Sequence, residues 1–544
     1  MRASIRSPGI ARRHLPLLAI IGGGLALRLW LAFVVFPGQG LTGDLSLFQS
    51  WATTLAKVGP GAFYSSAGSA NYPPGYMYVL WALGNLGGPF GSLLGVSSDQ
   101  AVPLLLKLPA IAADVGIALL LVWAGRRWFG GRAGLLAAAL YLFIPVTWYD
   151  SALWGQVDAV GAFLMLASVI LLAEGWSEPA AALAALAVLV KPQDAIILVI
   201  VVPVLLRRHL LRAGSGPVPI LGPHLSGLDR RLGGLLREQG PVRLASAALA
   251  AAVAGILPLL PFDIARLAPT SLADVPVLGH VAGLIGLFAS AGSQYSVLTA
   301  NAYNVWALIG PTPLASAVGS TGGSWTADSL LVAGVPAVAI GAALLVCVGL
   351  LVAGGLLVRD GWLPILLGFT LVAFAFYALP TRVHERYLFP FFASGALLVA
   401  GSTVRAVGYV GVGLANTVNL HAVLASGLSI GFGSGAGGAG RLAGAGSAAG
   451  RGLGGAAGGL GGSGGGQPLG GAFGSAAQIA LPFGDLARTE SVVVAVALGQ
   501  TAALAVLVAL WIIVVMRGAP VPALMRGRVG AGPSPGEIAA RPTG

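Results

Sequence analysis

Charged residues are scarce in this chain. Asp, Glu, Lys and Arg together make up only 9% of its 544 residues, whereas apolar residues make up 56%. Soluble proteins carry roughly a quarter charged residues, so the composition excludes an ordinary soluble domain. Long apolar runs recur along the chain, and a run of about 20 residues is enough to cross a hydrocarbon core of about 30 Å. The chain is therefore predicted to be a polytopic membrane protein.

Cysteine is nearly absent, and so is the pattern of a β-barrel. The single thiol, Cys347, lies inside an apolar run, which excludes an intramolecular disulfide framework and a cysteine-based metal site. Outer-membrane barrels show strands of about ten residues that alternate apolar and polar side chains. This chain instead has continuous apolar runs rich in Gly, Ala and Leu. Small residues let membrane helices pack closely, so the predicted class is all-α.

Negative charge is also in short supply, with 18 acidic residues against 30 Lys and Arg and a net charge of +12. The basic residues cluster near the N-terminus, in 125–132 and in the loop 207–243, which alone holds seven arginines. Lys and Arg accumulate in cytoplasmic loops, so we predict a multi-pass protein of the cell membrane with both termini in the cytoplasm. The sequence has no basic–aromatic nucleic-acid motif, and no nucleic-acid partner is expected.

Hydropathy and charge together predict about 11–12 transmembrane helices. The first, 15–36, is interpreted as an uncleaved helix. Residues 75–95 are apolar too, but counting them as a span would place the arginines of 125–132 outside. They are therefore expected in or near the outer interface. The other spans are expected near 101–124, 133–149, 158–174, 179–190, 193–206, 244–261, 329–356, 361–379, 388–404, 406–424 and 491–515.

Composition also divides the chain into parts. Residues 1–404 form the predicted catalytic transmembrane module, with interfacial helices in its first outer loop, and 405–424 form an additional helix. Residues 425–480 are a Gly/Ala/Ser-rich low-complexity insertion. This segment has too few large apolar side chains to build a core, so it is predicted to be flexible. A terminal transmembrane helix over 481–516 and a cytoplasmic tail over 517–544 complete the chain.

Polar side chains recur at one predicted face of the membrane. They are Asp44, Tyr72, Gln156, Asp158, Lys191, Asn301, Asn304, Arg382, His384, Glu385 and Arg386. An ionisable group at bilayer depth costs about 3 kcal/mol or more, so each is a functional hypothesis. Arg and Lys suit a phosphate, and a carboxylate suits the activation of a hydroxyl as general base. Together they predict transfer of a group from a lipid phosphate to a hydroxyl acceptor.

Six short motifs occur in order: "GD" in the first loop, "YPPG", "WGQVDAV", "KPQ", "NAYNVWAL" and "HERYLFP". This order resembles the GT-C class of polyprenyl-phosphate-sugar-dependent glycosyltransferases, above all bacterial membrane mannosyltransferases. It is also similar to eukaryotic ER glucosyltransferases and GPI-anchor mannosyltransferases. The resemblance covers about residues 15–400. It implies a GT-C-type helix bundle that transfers a hexose, expected to be mannose, to a glycan, lipid or protein hydroxyl on the outer face.

The resemblance also implies roles for these residues. Asp44 matches the first-loop acid, which acts in the class as general base while the anomeric carbon is inverted. Contacts to the donor phosphate are implied for Arg382, His384, Arg386 and Lys191. Substrate-binding or orienting roles are expected for Glu385, Asp158, Gln156, Tyr72, Asn301 and Asn304. No cofactor and no metal site are predicted, because the sequence shows no tight ligand spacing; the need for a divalent metal is left open.

Other interpretations of the same residues stay open. Asp44 is also suited to cap a helix that begins at Leu45, the arginines to anchor helix ends at the interface, and His384 to pair with Glu385. Asp114 lies within an apolar run and has no obvious partner. Charges in the membrane and a broken helix pair over 179–206 are also typical of a secondary transporter or lipid flippase. The GT-C fold is equally compatible with transfer of another group.

Overall fold

The computed structural model describes residues 8–68, 70–211, 240–309, 326–399, 402–425, 477–479 and 481–517. Within these ranges the regular elements are helices, apart from four two-residue strands, and turns and irregular segments join them. Most of the Gly-rich segment 425–480 and of the tail 517–544 lies outside the described residues. The predictions made for those two segments therefore stay predictions.

The first half of the chain supplies most of the helices around the site. α1 (Pro8–Trp30) continues through a π-helical turn (Leu31–Val35) to β1 (Gln39–Gly40) and α2 (Thr42–Val58). The following helices are α3 (Phe63–Ser66), α4 (Pro74–Leu94), α5 (Ser98–Leu105), α6 (Leu108–Trp128), α7 (Gly131–Phe143) and α8 (Pro145–Trp148). A π-helical turn (Tyr149–Trp154) then leads to α9 (Asp158–Ala173), α10 (Ser177–Val188), a 3₁₀ turn (Pro192–Ile197) and α11 (Leu198–Leu206).

The second half begins with α12 (Pro241–Ile256), α13 (Thr270–Ala273) and α14 (Leu278–Ser293). A short hairpin, β2 (Leu331–Val332) and β3 (Val335–Pro336), precedes α15 (Ala337–Val358). The remaining elements are α16 (Trp362–Ala378), α17 (Phe389–Leu398), α18 (Thr403–Leu424), β4 (Ala477–Gln478), α19 (Gly484–Ala487) and α20 (Glu490–Arg517).

Among the described residues, five helical segments are long and apolar enough to cross a membrane: 15–35, 98–128, 337–358, 403–424 and 490–516. A sixth is added if the pair Gly131–Phe143 and Pro145–Trp154, bent by 54°, forms one broken span. The chain is thus an all-α, multi-pass membrane protein by length and composition. Further apolar helices of 10–17 residues are present, so the count of 11–12 spans stays a prediction.

Small residues let the helices approach backbone to backbone. A Cβ atom added at Gly125 of α6 would lie 2.3 Å from the Cα of Gly134 on α7, and one at Gly84 of α4 would lie 2.1 Å from the carbonyl oxygen of Ala52 on α2. No larger side chain fits at either crossing. This close packing is the physical reason for the high Gly content of the apolar segments.

Two predicted boundaries are wrong. The helix expected to start near residue 329 begins at Ala337, because residues 331–336 form the hairpin, whose turn places Ala333 and Gly334 at positive φ. α2 begins at Thr42 with Leu41 at the N-cap, so Asp44 lies in the first helical turn and does not cap the helix.

The segment 75–95 is a helix, α4, that packs along α2.

Three arginines outside the predicted site, Arg127, Arg208 and Arg243, form ion pairs near the end of α9 that lies opposite Asp158. α9 begins at Asp158, a predicted site residue, and Glu174 follows its other end, where it accepts hydrogen bonds from Arg127 and Trp128. Two further ion pairs, Arg208–Asp360 and Arg243–Glu178, join helix ends on the Glu174 side. Which of these two ends faces the cytoplasm stays a prediction.

Candidate active site

The predicted site residues gather around one cavity of about 440 Å³. Its walls come from the start of α2, the segment before α4, the 3₁₀ turn after α10, the end of α14 and the turn between α16 and α17. Among the predicted residues, those lining it are Asp44, Tyr72, Arg382, His384 and Arg386. Segments far apart in sequence therefore meet at one place, as the ordered motifs indicated.

Asp44 is held by two donors from the turn before α9. Trp154 Nε1 donates to Asp44 Oδ2 at 2.7 Å, and Gln156 Nε2 donates to the same oxygen at 2.5 Å. The π-helical turn ends at Gly155, whose φ of +85° lets the chain reverse between the two donors. Among the described residues, Oδ1 of Asp44 has no recorded hydrogen-bond partner, which leaves this oxygen available to the cavity.

Lys191 and Asp158 form a buried ion pair behind Asp44. Lys191 Nζ lies 2.8 Å from Asp158 Oδ1 and 3.1 Å from Gln156 Oε1. Only an amide nitrogen can donate to Asp44 and only an amide oxygen can accept from Lys191, so the orientation of Gln156 follows from its neighbours. The predicted phosphate contact Lys191 thus has its donors directed at protein groups, and Gln156 links it to Asp44.

Arg386 is the cation at the centre of the site. Its Nη1 donates to Glu385 Oε1 at 2.8 Å, its Nε lies 3.7 Å from Asp158 Oδ2, and its Cζ lies 5.7 Å from the centre of the Trp154 ring. Burial lowers the pKa of Arg386, but the charges of Asp44 and Glu385 outweigh it and raise that pKa well above the usual value. Nε is buried without a hydrogen-bond partner among the described residues.

His384 lies beside Arg386 but differs from it in charge. Burial, with the positive charges of Arg386 and Lys191, lowers the pKa of His384 well below 6.5. The imidazole is therefore neutral near pH 7, and its predicted contact to the donor phosphate would be a hydrogen bond between a neutral ring and the phosphate. The interpretation of His384 as a hydrogen-bond partner of Glu385 is wrong, since Nδ1 and Oε2 are 3.9 Å apart.

Glu385 does not line the large cavity but borders a second, small one of about 30 Å³. Burial raises the pKa of Glu385, and the neighbouring Arg386 partly offsets this. Oε2 of Glu385 has no hydrogen-bond partner among the described residues. Asp44, Asn301, His384 and Arg386 line the same small cavity, so a group there faces both the carboxylates and the guanidinium.

Arg382 lies at the rim of the large cavity. Its Nε pairs with Asp328 at 2.5 Å, its Nη1 donates to the carbonyl of Gly292 at 2.8 Å, and its side chain is 31% exposed. The residue also adopts a φ of +66°. Arg382 thereby ties the turn after α16 to the end of α14, and lines the cavity from this position.

The two predicted asparagines lie in different surroundings. Asn301, at a φ of +70°, pairs through its backbone with His384 and lines the small cavity. Asn304 lines neither cavity: its Oδ1 accepts from the backbone N–H of Trp306 and its Nδ2 donates to the carbonyl of Tyr377. The structure thus gives Asn304 a capping role and places only Asn301 at the site.

Several site residues escaped the sequence analysis. Trp154 stands inside the "WGQVDAV" motif and could have been selected with Gln156. Tyr295 and Tyr387 line the large cavity, and the edge of Tyr295 meets the His384 ring with centroids 4.8 Å apart. Asp328 carried no signal because no motif surrounds it. An aromatic side chain in an apolar segment is typical of packing, and only the fold distinguishes those that line the cavity.

Two more buried carboxylates lie behind the site. Asp150 has both side-chain oxygens, and Asp194 has Oδ2, without hydrogen-bond partners among the described residues. Burial raises the pKa of Asp194 well above 3.8, although Lys191 lowers it. The described part of the chain contains no group of three His, Cys, Asp or Glu residues arranged to hold a metal ion.

Asp114, which had no obvious partner in sequence, is fully hydrogen-bonded. Its carboxylate accepts from Arg28 Nε at 2.7 Å, from the hydroxyl of Tyr141 at 2.5 Å and from Ser151 Oγ at 2.6 Å. Ser151 belongs to the π-helical turn that also carries Trp154. The pair Arg28–Asp114 is completely buried, so it joins α1 and α6 to the turn beneath Asp44.

Comparisons with known proteins find only distant structural similarity. No family model and no curated protein matches the sequence. The archaeal oligosaccharyltransferase AglB from Archaeoglobus fulgidus, solved with an inhibitory peptide and a dolichol-phosphate, aligns with 77% of this chain and 52% of its own, at 13% identity and a TM-score of 0.36. The Archaeoglobus fulgidus oligosaccharyltransferase tethered to an acceptor peptide aligns with 76% and 51%, at 14% identity and a TM-score of 0.36. The chain spans about half the length of these structures.

Proposed function

We propose that this protein is a membrane glycosyltransferase. It transfers a single hexose, expected to be mannose, from a polyprenyl-phosphate donor to a hydroxyl acceptor with inversion. One observation carries the proposal: the carboxylate of Asp44 and the guanidinium of Arg386 face the same cavity of about 440 Å³. A base and a phosphate-binding cation are the two groups that such a transfer needs.

In this mechanism Asp44 acts on the acceptor. Trp154 and Gln156 orient the carboxylate through Oδ2, and Oδ1 takes the proton of the acceptor hydroxyl as its oxygen attacks the anomeric carbon. The new bond to the acceptor oxygen forms while the bond from the anomeric carbon to the phosphate oxygen breaks. The electron pair leaves with the polyprenyl phosphate, and the proton stays on Asp44 until it passes to water.

Arg386 acts on the departing phosphate. Its buried Nε has no partner among the described residues, so the guanidinium can add a phosphate without losing its bond to Glu385. A fixed cation at the developing negative charge lowers the barrier. Lys191 adds positive charge from behind, but its hydrogen bonds to Asp158 and Gln156 make it a supporting residue in this mechanism.

The remaining walls suit a lipid-linked sugar. Tyr72, Tyr295 and Tyr387 line the cavity beside the charged residues, and aromatic rings with polar edges suit the faces of a sugar. Ile196, Phe288 and Phe376 line it as well and offer apolar surface for the start of a polyprenyl chain. We further propose that the site faces the extracytoplasmic side, opposite the arginine-rich loops.

The test is sugar transfer by the purified full-length protein in nanodiscs. Polyprenyl-phosphate mannose, glucose and galactose are each supplied with cell-envelope acceptors, and products are identified by mass spectrometry. Transfer is expected with one hexose, with an at least 100-fold lower rate in Asp44→Asn, as is typical of a lost general base. Asp485→Asn removes a fully exposed carboxylate outside both cavities and should retain the wild-type rate.

Three results would contradict the proposal. Full activity in Asp44→Asn would remove the base assignment. Movement of labelled lipid across the bilayer of proteoliposomes that contain the protein, without any transfer of sugar, would instead identify a transporter or flippase. Transfer of a group other than a hexose would keep the fold and change the reaction.

A further inference from the structure

α18 (Thr403–Leu424) lies beyond the last recognised motif, yet its polar side chains contact the site-bearing segments. Asn416 Nδ2 donates to the backbone carbonyl of Glu385 at 2.9 Å. Asn419 Nδ2 donates to the backbone carbonyl of Asn301 at 2.8 Å. Both asparagines are buried, with relative exposures of 1% and 0%. Of these two targets, Glu385 follows His384 in sequence, and Asn301 pairs with His384 through its backbone.

Asn419 uses both ends of its amide. Its Oδ1 accepts from the backbone N–H of Tyr303 at 3.0 Å and from the hydroxyl of Tyr377 at 3.1 Å. One side chain therefore joins α18 to the segment 299–304 and to α16. An amide without hydrogen bonds inside a membrane bundle would be costly. Because both ends of the Asn419 amide are hydrogen-bonded, we interpret its contacts as fixed.

The segments that α18 holds are also joined to each other. The N–H of Ala300 donates to the carbonyl of Val383 at 2.9 Å, and the N–H of Arg382 donates to the carbonyl of Val297 at 3.1 Å. Asn301 adopts a φ of +70°, a left-handed conformation that non-glycine residues rarely adopt without support. The bond from Asn419 to its carbonyl provides such support next to His384.

Asn416 and Asn419 are three residues apart and therefore lie on one face of the helix. The same face carries Val423, which lines the small cavity together with Asp44, Glu385 and Arg386. The helix thus closes one side of the site and fastens the backbone on either side of His384 through two amides. No feature of the recognised motifs accounts for these contacts.

We infer that Asn416 and Asn419 are positioning residues that fix His384 and Arg386 relative to Asp44. The catalytic consequence rests on the proposed glycosyltransferase function, whereas the positioning itself is a property of the fold. A displacement of about 1 Å at a reacting centre can lower a rate about 100-fold. Loss of either amide donor should therefore lower kcat more than it raises KM.

The experiment uses the full-length protein in nanodiscs and reads two quantities. Asn416→Leu removes the donor to Glu385, whereas Asn416→Gln keeps an amide donor. Asn419→Leu removes the link to Asn301. Thr417→Val is the matched control, since Thr417 Oγ1 bonds only the Gly413 carbonyl of its own helix among the described residues. Hydrogen–deuterium exchange is measured for peptides covering 299–304 and 381–388, and kcat and KM are measured for sugar transfer.

Faster exchange is expected in 299–304 for Asn419→Leu and in 381–388 for Asn416→Leu, with α20 unchanged. In both leucine variants kcat should fall 10- to 100-fold, while KM stays within about threefold of the wild-type value. Asn416→Gln should recover at least part of the rate. Thr417→Val should match wild type. Unchanged exchange in both peptides would overturn the inference, as would equal loss in the control. If the wild type transfers no sugar, the proposed function fails, while the exchange data still decide whether α18 positions these segments.

Discussion

Gln156 Nε2 donates a 2.5 Å hydrogen bond to Asp44 Oδ2. The other end of the same amide accepts from Lys191, which in turn pairs with Asp158. The neutral amide donates to a carboxylate at one end and accepts from an ammonium at the other, so one side chain joins the two charged groups. The position of Asp44 thus depends on a residue that contacts no substrate in the proposed mechanism.

Replacing Gln156 with Glu should disrupt the series of hydrogen bonds that runs from Asp44 through Gln156 to Lys191. A carboxylate at 156 would face Asp44 without a proton to donate and repel it, although it would still pair with Lys191. We expect kcat for sugar transfer to fall about 100-fold, the loss typical of a misplaced reacting group. Steady-state kinetics of Gln156→Glu and Gln156→Leu provide the test. Wild-type kcat in Gln156→Glu would show that Asp44 does not depend on this bond.

Two substitutions of Arg386 should show how much of its effect on the rate comes from its positive charge and how much from the planar shape of its guanidinium. Arg386→Met removes the cation and is expected to lower kcat by about 100- to 1000-fold, as is typical for loss of one group that stabilises developing negative charge. Arg386→Lys keeps the charge but not the planar fork, so an intermediate rate is expected. Inhibition by free polyprenyl phosphate should weaken in the same order. Arg127→Met alters a mostly exposed arginine at the opposite end and serves as control; equal inhibition in all variants would exclude a phosphate contact.

Asp194 should make stability depend on pH. Burial raises the pKa of Asp194 well above its ordinary value of 3.8. The folded protein therefore keeps a proton that the unfolded chain has lost, and stability falls as pH rises from about 4 towards the folded pKa. Asp194→Asn removes this fall, so its gain in melting temperature over wild type should be larger at pH 8 than at pH 5. Thermal unfolding in detergent at both pH values tests this, and an equal gain at the two pH values would contradict it.

The buried pair Arg28–Asp114 should show strong coupling. Asp114→Asn leaves the Arg28 charge buried without its counter-charge, and breaking such a pair typically costs about 3–5 kcal/mol. The double variant Arg28→Met with Asp114→Asn removes that charge, so we expect it to be more stable than Asp114→Asn alone. Denaturant unfolding of the four proteins in the cycle measures the coupling. Additive effects would show that the two side chains do not act as a pair.

Much of the site could be predicted because polar residues are rare in this chain. With 9% of residues charged, each carboxylate or arginine inside an apolar segment stands out, and Asp44, Arg386 and His384 were found for that reason. Trp154, Tyr295 and Tyr387 were not, since an aromatic side chain in an apolar segment is typical of packing as well as of a site. Asn416 and Asn419 fell outside every motif, so only their contacts identify them.

The structure adds to the sequence predictions what the sequence does not report. His384 is predicted to contact a phosphate, and its burial beside Arg386 and Lys191 lowers the pKa of the ring, so a neutral imidazole would make that contact. Lys191 is also predicted to contact a phosphate, and its ammonium contacts Asp158 and Gln156, so the phosphate role stays a prediction. Charge state and hydrogen-bond partner depend on distances across the fold, and neighbouring residues in sequence do not report them.

The sequence by itself determined the class of the protein and the residues available for chemistry. Apolar run length and the near absence of charge suffice for an all-α membrane chain, because hydrocarbon excludes both charge and unpaired backbone. Only the tertiary structure decided how these residues are used: that Asp44 is oriented through Gln156, that Arg386 Nε has no hydrogen-bond partner among the described residues, and that α18 fastens the backbone around His384. The contacts of Gln156 and α18 join residues that lie 31 to 118 positions apart in sequence, and such contacts exist only once the helices have packed.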